Sequence, residues 1–438
     1  MSEKIPFFIN SNILTSQDDI KNFSSLMESI SYNIGNSYIT YSLIKECFDD
    51  IKTLHHIQNI YTYDFEDSYK DIDFINNIAT HVIFILQDQI RLEESYGLKL
   101  PYEKIKNFIK RINKPIIIAG LGANYFTSYD KNFYKELSPE LVDFLCFLSE
   151  HCIKIGIRGY FTQEILSNLG IKNTQVIGCP SYFETGKNRI ITKQKLEDFE
   201  DIILTSRFHI KGLENNFQIM QDLSEAKFIK AICYNDFEMF YTDEEMYKLK
   251  NHQYRFFSNI DDWKNYIKQF KFAIGNRLHG TILAINSGIP AICCNRDARA
   301  TEMCAFLGIP HYKDISEDIN IMDLYEKLDI ISMNKNYKYL YQNFEDFLRI
   351  NNLEIIDELK PNDINKFPII ELYKKGYTIK CVKTVLFVTI RKRYNEIKVF
   401  IRNKYKIFVN YLKIIIKVII NRIKAVLRIL KFKMKTFL

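Results

Sequence analysis

The sequence predicts an α/β protein with two parallel-sheet domains, followed by a basic amphipathic helical tail. Three observations lead there. Short Val- and Ile-rich runs alternate with segments of helical period, as parallel strands joined by crossover helices do. A stretch rich in Pro, Gly and polar residues near position 190 separates two such series. The charge is also divided. Lys374–Leu438 holds 19 Lys and Arg against Glu396 alone, a net +18, while the first 373 residues hold 41 bases and 52 acids, a net −11. The expected parts are residues 1–190, 191–373 and 374–438.

In the first part the strand candidates are His81–Leu86, Pro115–Ala119, Lys154–Ile157 and Gln175–Ile177. A helix over Thr162–Asn168 lies between the last two and stops at Gly170. Cys179–Gln194, with Pro180 and Gly186, reads as a linker. The pattern restarts with strands at Asp201–Thr205, Phe228–Cys233, Phe272–Gly275 and Ala291–Cys294. Residues 317–372 read as helices and connections closing the second domain.

A length of 438 residues suits two or three domains. Hydrophobic residues at 47% and charged residues at 26% exclude disorder and collagen-like repeats. The nine cysteines form no C-x-x-C pair and sit mostly in apolar runs, as buried thiols of a reducing compartment do. The N-terminus shows no secretory signal, and no apolar run approaches the roughly 18–20 residues of a membrane span. A cytoplasmic protein is expected.

Ligands of open α/β sheets sit beyond the carboxyl ends of strands, where helix N-termini present free N–H groups. By that rule Lys271–Glu302 is the most informative segment: a strand, the turn Asn276-Arg-Leu-His-Gly280, a helix, Gly-Ile-Pro and a second strand. Arg277 can hold a carboxylate or phosphate bidentately, and His279 can pass a proton near neutral pH. Gly280 would let an anion approach the helix closely. The plainer reading is that Arg277 and His279 only cap the turn.

Three weaker features repeat the geometry. Arg207 follows the first strand of the second part, though a surface salt bridge would also explain it. Asn33, Gly35 and Asn36 form a turn ahead of a helix, which could cradle a sugar or phosphate or simply cap the helix. Gly120-Leu-Gly122 lacks the third glycine of a dinucleotide fingerprint. His55-His56 reads as a surface pair on a helix. No P-loop, no G-x-S-x-G, no H-E-x-x-H and no zinc-ligand spacing occurs.

Four stretches of the chain resemble the polysaccharide pyruvyltransferases. They are Asn33-Ile-Gly-Asn36; Ile157-Arg-Gly-Tyr-Phe-Thr-Gln-Glu164 running on to Val176-Ile-Gly-Cys-Pro-Ser181; Asn276-Arg-Leu-His-Gly280 with Ser287-Gly-Ile-Pro290; and Asp297-Ala-Arg299 with Glu302. Asn36 stands where many members carry Asp, which argues against proton transfer at that position. The resemblance implies two Rossmann-like domains around a cleft, the glycosyltransferase-B-like arrangement. It also implies phosphoenolpyruvate as donor and a sugar of a surface glycan, lipid-linked or polymeric, as acceptor. Arg277, Leu278 and His279, with Asn276 and Gly280, match its donor-binding motif, and Arg207 sits where the family places another donor-contacting arginine.

Ketal formation fits these residue types. The enol methylene of phosphoenolpyruvate must be protonated, a sugar hydroxyl attacks C2, phosphate leaves and a second hydroxyl closes the ring. His279 is then general acid or phosphate ligand, with Arg277 and Arg207 as anion clamps; the scheme requires no metal or cofactor. Two alternatives stay open: a nucleotide-sugar transferase of the same architecture, and a non-catalytic membrane scaffold of a glycan-assembly complex.

From Arg391 onward, cations recur at steps of three, four and seven residues, with Ile, Val, Leu and Phe between them. Such a helix lies in the plane of an anionic membrane surface. A nucleic-acid arm would gain little from the aliphatics, so no nucleic acid is expected; a partner-binding helix remains a rival. Residues 374–438 would therefore hold the enzyme at the inner face of the cell membrane.

Overall fold

The computed structural model describes residues 4–13, 33–48, 54–92, 99–125, 129–130, 132–205, 218–220, 254–256, 260–294, 297–312 and 320–356. All of them belong to one compact unit, Met1–Ile229 with Thr242–Lys375. Arg207, the strand expected at Phe228–Cys233 and the tail 374–438 lie outside the described residues.

Two six-stranded sheets, parallel throughout, form the frame. The first contains β1 (Pro6–Ile9), β2 (His55–Ile57), β3 (His81–Phe84), β4 (Ile116–Leu121), β5 (Ile155–Ile157) and β6 (Thr174–Val176), in the order β2-β1-β3-β4-β5-β6. The second contains β7 (Ile202–Leu204), β8 (Gln218–Met220), β9 (Tyr254–Phe256), β10 (Phe272–Gly275), β11 (Ala291–Cys294) and β12 (His311–Tyr312), in the order β12-β11-β10-β7-β8-β9. Their register sets apolar against apolar: Ile83 opposite Ile117, Ile274 opposite Leu204 and Ile292. Every residue of β4 is buried, which is why Ile-Ile-Ile-Ala-Gly-Leu carries no polar alternation. In each sheet the winding reverses at one point, between β1 and β3 and between β7 and β10. Those are the crevices where doubly wound sheets take ligands.

The described helices of eight residues or more are α1 (Ile34–Cys47), α2 (Tyr69–Asn77), α3 (Tyr102–Ile109), α4 (Pro139–Glu150), α5 (Tyr160–Asn168), α6 (Ile260–Ile267), α7 (Leu278–Asn286) and α8 (Ala298–Leu307); the long α10 (Ile330–Ile350) follows a short α9 (Ile321–Glu326). The expected helix at Thr162–Asn168 is α5, followed by Gly170 at φ +84°, a left-handed conformation that suits glycine. Of residues 317–372, α9 packs its Ile321, Leu324 and Tyr325 against the second sheet. In contrast, α10 lies against the first: Asn343 Nδ2 donates to the Val176 carbonyl (2.8 Å), and Phe347 fills the space beside Gly156.

Cys179–Gln194 connects β6 of the first sheet to β7 of the second, and much of it is interior: Pro180–Phe183 is a buried 3-10 turn. Glu184 is fully buried and accepts from Lys264 of α6 (2.5 and 2.8 Å) and Lys45 of α1 (2.5 Å), so its carboxylate is satisfied by neighbouring helices. The Arg189 guanidinium stacks over Tyr337 at 3.6 Å and Tyr182 at 4.2 Å. One expectation is corrected: His55-His56 belongs to edge strand β2 and not to a helix. His56 Nδ1 pairs with Ser11 Oγ at 2.5 Å, and His55 stacks on Phe74.

Candidate active site

The carboxyl ends of the two sheets meet, and the charged and polar residues that follow the strands gather there. Asp88 comes four residues after β3, and Arg158 directly after β5. Cys179 follows β6, Thr205 follows β7, Arg277 and His279 follow β10, and Asp297, Arg299 and Glu302 follow β11. Cross-contacts tie the ends together. Arg299 Nη1 pairs with Asp88 Oδ2 at 3.0 Å. Glu302 accepts from the Thr162 N–H (2.9 Å) and hydroxyl (2.7 Å). Cys179 Sγ lies 3.6 Å from His279 Nε2.

Arg158 is the centre of this arrangement. It is 1% exposed, and its Nε and Nη2 have no hydrogen-bond partner. A buried, always-charged donor without an acceptor is costly unless something else supplies the acceptor. Its stem is sited by Gly122, where a Cβ would fall 2.7 Å from Arg158 Cδ. Gly159 has an equivalent reason, since a Cβ there would meet Glu302 Oε2 at 2.6 Å. The glycines of these turns therefore make room for charged side chains.

The electrostatics are one-sided. Burial, then Arg158 and Arg299, push the His279 imidazole well below the ordinary histidine range, so it is neutral at pH 7. Burial alone would raise Asp88, but Arg299, Arg91 and Arg158 outweigh it and hold the carboxyl at about 2. Burial pushes Glu302 up to about 7, against the hydrogen bonds from Thr162 and the pull of Arg158. Ionised Asp88 pairs with Arg299, whose Nη2 also reaches Asp297 Oδ2 at 3.5 Å, and Arg158, Arg277 and Arg299 lie near the neutral imidazole.

Of the residues singled out from the sequence, Arg277 and His279 come together with this cluster, His279 being 8% exposed. Arg277 occupies the N-cap of α7, and its N–H donates to the Thr205 carbonyl (2.9 Å). Asn276 is half-buried beside it, and Leu278 is buried in the first turn of α7. Gly280 has a packing reason of its own: a Cβ would fall 2.8 Å from Thr205 Cβ. Asn33 caps α1, accepting from the Gly35 N–H at 2.9 Å, and the Asn36 N–H donates to the Asn33 carbonyl. Ser37 and Thr40 then bond to the carbonyls of Asn12 and Ser11, so this turn sits over the end of β1. Arg158, Asp88 and Arg299 were not singled out as site residues, although each follows a strand and two lie in the stretches quoted above.

No curated protein matches the chain. Among solved structures it is similar to a functionally uncharacterised protein of Klebsiella pneumoniae (13% identity, 69% of this chain and 88% of that one, TM-score 0.32). It is also similar to S. aureus MnaA with UDP (11%, 89% and 98%, 0.34). A third likeness is to the UDP-GlcNAc 2-epimerase of Methanocaldococcus jannaschii (11%, 87% and 99%, 0.33). The model of the polysaccharide pyruvyl transferase family matches residues 31–298, a span that runs from the α1 turn through Arg158 and His279 to the start of α8. The chain belongs to the polysaccharide pyruvyl transferase family.

Proposed function

We propose that the protein transfers the pyruvyl group of phosphoenolpyruvate to two hydroxyls of a surface-glycan sugar, forming a ketal. The observation that carries this reading is the buried Arg158, whose Nε and Nη2 are unpartnered, beside His279 and among Arg277 and Arg299. A donor bearing a carboxylate and a phosphate a few ångströms apart supplies acceptors for those two nitrogens. Its negative charge would offset the Arg158 and Arg299 charges that add to burial in keeping His279 neutral, which favours uptake of a proton by the imidazole as the donor binds. That proton goes to C3 of the enol, and C2 becomes electrophilic. The first sugar hydroxyl bonds to C2, the C2–O bond to phosphate breaks, and the second hydroxyl closes the ring. Of the two hydroxyl protons, one replaces that lost by His279 and the other leaves with hydrogen phosphate.

The arrangement of two doubly wound sheets with facing carboxyl ends agrees with a glycosyltransferase-B-like architecture, and residues 374–438 with a peripheral anchor on the inner membrane face. The decisive test is a thermal shift with phosphoenolpyruvate, followed by phosphate release with lipid-linked glycan fractions. A raised Tm and glycan-dependent phosphate release are expected. No shift with phosphoenolpyruvate but a clear one with a nucleotide sugar would overturn the donor assignment. Vesicle sedimentation of the full chain and of residues 1–373 tests the anchor: only the full chain should pellet with anionic lipid.

A further inference from the structure

The proposed reaction needs a proton on an imidazole that burial and the neighbouring arginines keep neutral, and one buried group reaches that imidazole. Cys179 follows β6 in the Gly178-Cys-Pro-Ser181 turn, and its place is fixed from two sides. The N–H groups of Ile177 (2.8 Å) and Gly178 (3.2 Å) both donate to the carbonyl of Ile157, the residue before Arg158. The Tyr182 N–H donates to the Cys179 carbonyl at 2.9 Å. The thiol is in no disulfide, is fully buried, and lies 3.6 Å from His279 Nε2.

The direction of its hydrogen bonds follows from its other neighbour. Ser181 Oγ, also fully buried, lies 3.0 Å from Cys179 Sγ, its one side-chain partner among the described residues. A buried hydroxyl must give its proton somewhere, and the sulfur is what it reaches. The sulfur then accepts from Ser181, its own S–H turns to His279 Nε2, and the neutral ring carries its proton on Nδ1. Passing the S–H proton to Nε2 would leave a thiolate beside an imidazolium. Ser181 would still donate to that thiolate, and the Arg158 guanidinium faces it. The remaining charges near the pair are Arg299, Arg277 and Asp88 around His279, and Glu302 beyond Arg158. The transfer changes no net charge, so the arginines that oppose a lone imidazolium attract the thiolate made with it.

We infer that Cys179 is the positioning residue of His279 and the store of its proton, the thiol and imidazole sharing one proton along the Sγ–Nε2 contact. The inference rests on the proposed reaction and names the source of its proton. The S–H bond breaks as Nε2–H forms, and an N–H of the ring breaks as the C3–H bond of the enol forms. A proton from the attacking sugar hydroxyl then returns to the ring, and the thiolate regains its own. Cys179 acts only through His279 and forms no bond to either substrate.

The test uses the full chain labelled with 15N-histidine, the His279 ring being identified by its loss in His279→Gln. With no ligand present, the wild type should show Nδ1 protonated and Nε2 accepting. Cys179→Ser should keep this tautomer and Cys179→Ala should lose it. Phosphate release from phosphoenolpyruvate with lipid-linked glycan then reads the proton supply. A serine hydroxyl orients the ring but does not give up its proton, so both variants must draw one from solvent onto a ring held neutral. Their kcat should fall at least about tenfold at pH about 8, the alkaline limb of the profile moving down by about one pH unit, with KM for phosphoenolpyruvate within about twofold. Serine is nearly isosteric with cysteine and carries the kinetic arm if alanine loosens the turn. The same tautomer in Cys179→Ala as in the wild type, or an unmoved alkaline limb in Cys179→Ser, would overturn the inference. A wild type that shows the tautomer but neither binds phosphoenolpyruvate nor releases phosphate would sink the proposed reaction and leave the thiol–imidazole pair standing.

Discussion

Arg158→Met separates a residue kept for a ligand from one kept for the fold. Methionine preserves most of the stem that Gly122 accommodates and removes the guanidinium. If Nε and Nη2 are unpartnered because they await a donor molecule, the empty protein is better off without them. Relief of two buried, unsatisfied charged donors is worth about 1–3 kcal/mol each, less the lost attraction to Asp88 and Glu302. Asp88 itself is not orphaned, since Arg299 (3.0 Å) and Asn124 Nδ2 (2.9 Å) still hold it. A net gain of about 1–3 kcal/mol follows, read as a rise in Tm of about 2 °C per kcal/mol. The same substitution removes the charge-assisted bonds to the donor, so phosphoenolpyruvate affinity should fall at least about a hundredfold. Differential scanning fluorimetry with and without phosphoenolpyruvate measures both. A Met variant that melts well below the wild type, as after breaking a structural ion pair, would refute the reasoning, and so would an unchanged donor shift.

Gly122→Ala sets a Cβ 2.7 Å from Arg158 Cδ, so the arginine must move; a stability loss of about 1–2 kcal/mol and a donor affinity at least about tenfold weaker are expected in the same assay. Burial and neighbouring arginines keep His279 well below the usual range, and burial with His55 holds His56 at about 4. Both folded values lie below the unfolded one, so the unfolded chain binds protons that the native one refuses. Denaturant midpoints should hold above pH about 6.5 and decline below it, by about 1.4 kcal/mol per pH unit for each histidine; His56→Gln should flatten part of that slope. Glu46 has the opposite sign: burial lifts it to about 8 while Tyr341 Oη (2.7 Å) and the Gly186 N–H (3.1 Å) donate to it. Its contribution is full below pH about 4.5 and lost as pH rises through 8, so Glu46→Gln should be the more stable form at pH 9 by roughly 2–4 kcal/mol. Glu184→Gln leaves Lys264 and Lys45 without their shared carboxylate and should cost about 3–5 kcal/mol in unfolding free energy.

How much of this was legible in the sequence depends on how far each feature reaches along the chain. β3, β4, β5, β10 and β11 stand out because strands buried on both faces are written as unbroken apolar runs. β2 is an edge strand reading His-His-Ile with its first residue exposed, and β12 has two residues, so neither carries such a signal. The site divides the same way. The placement of Arg277 and His279 at a strand end was legible because strand, turn and helix are contiguous there. The Asp88–Arg299 pair joins positions 211 residues apart and exists only because two sheets present their carboxyl ends to each other. Arg158 falls between these cases. Its position after β5 is local information, and the strand-end rule applied to every strand picks it out together with Asp88 and Thr205. Its burial and unused nitrogens are tertiary facts, and those are what distinguish it from a surface arginine. The glycines narrow the gap. Gly122 and Gly159 are small because Arg158 and Glu302 need their space, so a glycine beside a strand end, where no turn demands one, can mark a charged side chain folded inward.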